Sequence, residues 1–154
     1  MAAKTGIEGK LYFSATGIGS GAAGSATYTE LTNVRNVTLN NTKAEADATT
    51  RTNNGWKAVV ATLKEASIEF EMVWDPSDPG LSAVYGSYMT NTILGIACVD
   101  GAITGQGADP NGFEADCMVS SVSREESLEG IMMLKVTVKP TYSANAPRLI
   151  GLAA

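Results

Sequence analysis

The chain has 154 residues, 44% hydrophobic and 18% charged, enough for one domain with a real core and too few to build two comfortably. Eleven Lys and Arg against sixteen Asp and Glu leave a net charge of −5, the wrong sign for a protein that grips a phosphate backbone. Histidine is absent, which removes Ser-His-Asp and Cys-His nucleophilic machinery and His-based zinc sites, and two cysteines cannot form a four-thiolate zinc site.

In chain order, residues 9–14 predict a first strand, followed by 15–27, a stretch of Gly, Ala, Ser and Thr with no apolar face. Gly19-Ser-Gly21-Ala-Ala-Gly24 matches GxGxxG literally. However, the residues after it are β-branched rather than helix-forming, and no second βαβ unit follows, so it reads as a low-complexity loop. Residues 34–39 predict a strand, and 40–56 a long polar loop without periodicity, closed by Trp56. Loops of this length inside a compact domain call for a function or a partner, so both 15–27 and 40–56 are candidates for contacts between chains.

Strict alternation then appears: Ile68, Phe70, Met72 and Trp74 share one face, and Glu69, Glu71 and Val73 the other. Asp78-Pro79 opens a short helix over about 78–90, with Leu81, Val84, Tyr85, Tyr88 and Met89 on one stripe. Residues 92–99, 113–119 and 131–139 predict further strands, the last two antiparallel neighbours joined through a polar connection over 120–130. Asp100-Gly101 and Asp109-Pro110-Asn111-Gly112 carry turn chemistry. One helix among many strands predicts a mainly β fold, an antiparallel β-sandwich or barrel-like domain with a flanking α-helix.

Few residues offer chemistry. Glu69 and Glu71 project from one strand face about 7 Å apart, a spacing that suits acid/base work but is also that of a charged, solvated strand face. Asp109, Asn111, Glu114 and Asp116 offer oxygen ligands, yet the glycine falls at the wrong place for a calcium loop and the distal Glu is missing; a plain turn fits better. Cys98 and Cys117 match no redox motif or disulfide framework and read as free thiols in a reducing cytoplasm. The chain begins without the apolar stretch of an export signal and has no unbroken apolar run long enough to span a bilayer, so cytoplasmic synthesis and no membrane partner are expected. No cofactor, catalytic residue or metal ligand is expected.

The stretch Asn36-Val37-Thr38-Leu39, Lys43-Ala-Glu45-Ala-Asp47, Thr50-Arg51, Asn54-Gly55-Trp56-Lys57, Thr62-Leu-Lys64 and Ser67 through Trp74-Asp75 resembles the major tail tube proteins of long-tailed bacteriophages and prophages, related in fold to the type VI secretion tube protein. The likeness continues to Lys139-Pro140-Thr141 and covers most of the chain as a single domain, 1–154. It implies a β-sandwich with one flanking helix that assembles into rings, typically hexameric, stacked into a hollow tube in the virion tail. It also implies identical subunits, a tape-measure protein and a tail terminator as partners, with double-stranded DNA passing through untrapped.

The loop between early strands would reach the adjacent ring, a role falling here on Asn41, Lys43, Glu45, Asp47, Arg51 and Trp56. Glu69 and Glu71 are candidates for an acidic lumen, with Glu125, Glu126 and Glu129 as competitors. Arms at 1–10 and 141–154 are further candidate contacts, and the Gly-rich 15–27 stretch matches no family role. Two other readings stay open: a carbohydrate-binding or adhesin-like β-sandwich using exposed aromatics and 109–116, and a small hydrolase on Glu69 and Glu71.

Overall fold

The computed structural model describes residues 3–103 and 110–152. Its strands are β1 (Lys10–Ser14), β2 (Thr29–Glu30), β3 (Val34–Asp47), β4 (Val59–Val73), β5 (Leu94–Val99), β6 (Gly112–Glu125), β7 (Met133–Pro140) and β8 (Arg148–Ile150). One helix, α1 (Pro79–Thr90), lies between β4 and β5. The strands form one antiparallel sheet in the order β2-β1-β5-β6-β7-β4-β3, with β8 pairing β6. The described fold is therefore the mainly β, barrel-like domain with one helix that the alternation predicts.

The sheet coils because its strands twist. Leu11 and Phe13 of β1 thus meet Ile68, Phe70 and Met72 of β4 in one core, although three strands separate β1 from β4 in the sheet order. Leu94, Ile96, Ala115, Cys117, Leu134, Val136 and Val138 complete the wall, and Leu81 and Val84 of α1 close it. An irregularity between Val119 and Ser121 shifts the β6–β7 register and lets the long β6 bend around this core. Asp78 caps α1 by accepting a hydrogen bond from the Gly80 N–H at 2.9 Å, with Pro79 at the first helical position. Of the expected helical stripe only Leu81 and Val84 are buried. Ser87 joins them, donating to the Thr92 carbonyl, whereas Tyr85, Tyr88 and Met89 lie on the exposed shoulder.

β5 is covered on both sides, as its near-continuous apolar run suggests. Leu94 and Ile96 face the main core, and Ala97 and Val99 face a second cluster with Tyr12 and Ile150. That second layer is the Gly-rich segment lying on the outer face of β1, β5 and β6. Gly95 permits the close approach: a Cβ there would stand 2.8 Å from the backbone carbon of Gly17.

Three boundaries differ from the sequence reading. Residues 40–47, expected as loop, continue β3, and β4 begins at Val59 rather than near 68. The polar connection expected over 120–130 is strand as far as Glu125. The C-terminal residues expected as an arm fold onto the body: the Thr141 N–H donates to the Asp116 carbonyl, and β8 pairs Gly112–Glu114 of β6. Residues 1–2 and 153–154 of the two expected arms lie outside the described residues.

Candidate functional site

The fold treats the two low-apolar stretches of the sequence differently. Residues 40–67 form the outer half of a β3–β4 hairpin that extends past the core as an arm. Paired from Asn40↔Ser67 to Asp47↔Val59, it is about 25 Å long at the usual rise per residue. No core side chain lies on it. A register irregularity between Lys43 and Glu45 adds local twist.

The arm's tip is built by hydrogen bonds. Ala48 N–H donates to the Ala58 carbonyl, Thr49 Oγ1 accepts from the Ala58 N–H, and the Asp47 carboxylate accepts from the Thr49 N–H at 2.9 Å; the Thr49 side chain first, and then this N–H, hold that carboxyl below its usual range. A 3-10 turn (Arg51–Asn53) precedes Asn54 and Gly55, both at positive φ, the left-handed geometry that reverses the chain. Asn53 Nδ2 is the buried side-chain atom without a hydrogen-bond partner among the described residues.

All six residues assigned to inter-subunit contact therefore share this arm. Asn41, Lys43, Glu45 and Asp47 lie on β3, Arg51 in the turn and Trp56 beyond it, and every one is exposed. The arm also carries apolar residues that the polar run on β3 conceals. Trp56 and Leu63 are 78% and 79% exposed, with Val59 and Val60 beside them. Full burial of each such side chain is worth about 1.5–3 kcal/mol. Sequence reasoning passed over Leu63, Val59 and Val60 because they precede the alternating stretch at 68–74.

Residues 15–28 behave in the opposite way. Glu114 and Asp116 project from the outer face of β6 and are 0% and 3% exposed. The Glu114 carboxylate accepts from the Gly24 N–H at 3.1 Å, from the Tyr28 hydroxyl and from Arg148 Nε of β8. Asp116 accepts from the Ile18 N–H at 2.7 Å and from Ser143 Oγ. The Arg148 guanidinium also reaches the carbonyls of Ile18, Gly19 and Ala22. Burial, then the bond to Glu114, pushes the Tyr28 phenol well above its ordinary range. Two carboxylates thus clasp the Gly-rich segment and the C-terminal segment to the same strand. This clasp consumes Glu114 and Asp116, which removes the oxygen cluster considered for cation or carbohydrate binding; Asp109, its first member, lies outside the described residues.

Glu69 and Glu71 share the outer face of β4 but have different surroundings. Glu69 is exposed between Thr38 and Thr137. Glu71 is half-buried, accepts from Asn36 Nδ2 at 3.0 Å and stands opposite Arg35 on one side and Lys135 on the other. Glu69 meets threonines on both sides and Glu71 lies between two cations, the arrangement of a charged strand face. Burial raises both thiols, Cys98 and, up to about 12, Cys117, as expected of inert free cysteines.

No protein-family model matches the chain, and no curated protein matches it. Among solved structures, the tail of an empty gene transfer agent particle with C6 symmetry superposes at a TM-score of 0.72 and 15% identity, over 97% of this chain and 100% of that one. A protein of the native gene transfer agent virion gives 0.71 at 12% identity, over 97% and 100%. The SPP1 tail tube gives 0.63 at 14% identity, over 89% of this chain and 75% of that one. Identities this low establish the fold alone, and that fold is the one found in phage tail tube proteins.

Proposed function

We propose that this chain is a structural subunit of a tail tube, assembling with identical copies into stacked rings, hexameric in the simplest case, around a bore that passes double-stranded DNA without holding it. The observation that carries this reading is the β3–β4 arm, a preformed hairpin whose faces are both exposed and whose apolar residues have no cover among the described residues. Such a surface is what an assembling protein keeps for a neighbour. The fold likeness over nearly the whole chain supports the same reading, and so do a net charge of −5 and the absence of histidine.

In this reading the arm reaches the adjacent ring, and Asn41, Lys43, Glu45, Asp47, Arg51 and Trp56 make the contact. The long outer edge of β3, unpaired among the described residues, is one that a ring neighbour can cover. The outer face of β4 lines the bore, with Glu69 as its main acid. Glu71 contributes less, because Arg35 and Lys135 flank it. Like charge at the wall avoids the counterion release that would trap the duplex. The subunit resides in the virion tail after synthesis in the host cytoplasm, meets tape-measure and terminator proteins at the tube's interior and end, and catalyses nothing.

Negative-stain imaging and sedimentation of the purified chain over a concentration series test this. Rings or hollow tubes are expected. A protein that stays monomeric at every concentration and salt overturns the reading.

A further inference from the structure

The domain has two poles. β4 runs from the arm at one end to Val73 at the other, and β7 and β6 run beside it, so the β6–β7 turn at residues 126–132 lies at the end opposite the arm. The turn is tied to the body at its base. Arg124 stacks on Trp74, 5.0 Å from the ring centroid, and pairs with Glu126 at 2.9 Å; Lys135 pairs with Glu125 at 3.0 Å; Trp74 N–H donates to the Met132 carbonyl. Beyond that base stand Leu128, 101% exposed, Ile131, also exposed, and Glu129, which joins no ion pair among the described residues.

The other pole has a cleft between the arm and the C-terminal segment, lined by Lys43, Lys64 and Glu45 on one side and by Lys139, Pro147 and Leu149 on the other. Lys43 and Lys64 are directly opposite each other across the β3–β4 ladder. Like charges in that position repel, and neither meets a carboxylate in an ion pair among the described residues. Lys139 lies 3.9 Å from Glu65.

We infer that the β6–β7 turn of one copy docks in this cleft of a second copy, with Leu128 against Pro147 and Leu149 and Glu129 between Lys43 and Lys64. An acidic, apolar-tipped knob at one pole and a paired-lysine cleft at the other make a head-to-tail contact. A contact of that kind propagates as a filament rather than closing as a dimer. This assignment rests on the tube reading and names the surfaces that join successive rings.

The test places cysteines at both poles, Leu128→Cys with Lys64→Cys, and treats assembled tubes with a short bismaleimide. A ladder of covalent multimers is expected, since the two positions lie too far apart to join within one chain. Glu129→Lys alone should shorten tubes about tenfold, and adding Lys64→Glu should restore their length. Tubes that yield no ladder, or whose length ignores Glu129→Lys, overturn the docking while leaving the tube reading in place. A wild-type chain that forms no tubes overturns the tube reading itself, and the docking with it.

Discussion

The Gly-rich segment at 15–27 and the polar stretch at 40–56 are alike in poverty of apolar residues on paper and opposite in the molecule. The first is ordered by polar groups almost a hundred positions away: Glu114 and Asp116 receive its N–H groups, and Gly95 and Ala97 leave it room on β5. The second belongs to the arm at 40–67, which is ordered mainly by its own ladder and tip hydrogen bonds among the described residues and carries its large apolar side chains in solvent. A segment's composition thus says that it cannot make a core by itself, but not whether its partner lies in the same chain or in another. Where buried carboxylates wait for it, the partner is internal. Where lysines face each other and a tryptophan stands exposed, no partner is present among the described residues, and the proposed one lies in another chain.

Cutting the arm would separate the two regions most sharply. Replacing residues 44–63 by Asn-Gly, which closes the hairpin at Lys43 and Lys64, should abolish tubes entirely while changing monomer stability by less than about 1 kcal/mol, read by sedimentation and urea unfolding. A large stability loss would show that the arm belongs to the body after all.

The clasp should respond in reverse. Glu114→Ala leaves Arg148, Tyr28 and the Gly24 N–H without their shared acceptor and should cost about 3–5 kcal/mol in urea unfolding, with new protease cleavage within 15–28. Gly17→Ala should cost about 1–3 kcal/mol, because φ is +87° there and the added Cβ would stand 2.7 Å from Asp116 Oδ1.

A pH titration sharpens the clasp further. The Tyr28 phenol has a raised pKa in the folded chain, so its contribution is fully present below the ordinary value of 10.0 and falls away as pH climbs past it. Protease resistance of residues 15–28 should therefore decline above that pH in the wild type. The decline should be weaker in Tyr28→Phe, which at neutral pH costs about 1.5–3 kcal/mol because the lost hydrogen bond is to a carboxylate. The smallest effect is expected at the arm tip: Trp56→Ala should change monomer unfolding by under about 0.5 kcal/mol, yet raise the concentration needed for tubes.

Several features were legible without coordinates. The alternation of Ile68, Phe70 and Met72 against Glu69 and Glu71 fixed a half-buried strand, Asp78-Pro79 fixed the helix start, and the absence of histidine removed whole classes of chemistry. The two-residue β2 and three-residue β8 were not legible, because neither is long enough to show a period and both exist only as partners of β1 and β6. Residues 40–47 were missed as strand for a related reason. Both faces of the arm meet solvent in the monomer, so no alternation was needed there and none is present.

What the sequence determined by itself was local and periodic: a mainly β chain with one capped helix, a single domain's worth of core, and no imidazole chemistry. Tertiary structure decided which polar residues face inward. Glu114 and Asp116 look in sequence like the charged half of any alternating strand, and only the coil of the sheet and the return of the C-terminal segment bury them against the Gly-rich loop. It likewise decided that the paired lysines and the exposed Leu128 lie at opposite ends. Position along the chain is set by covalent order, but position in space is set by strand pairing, which joins residues that no local period relates.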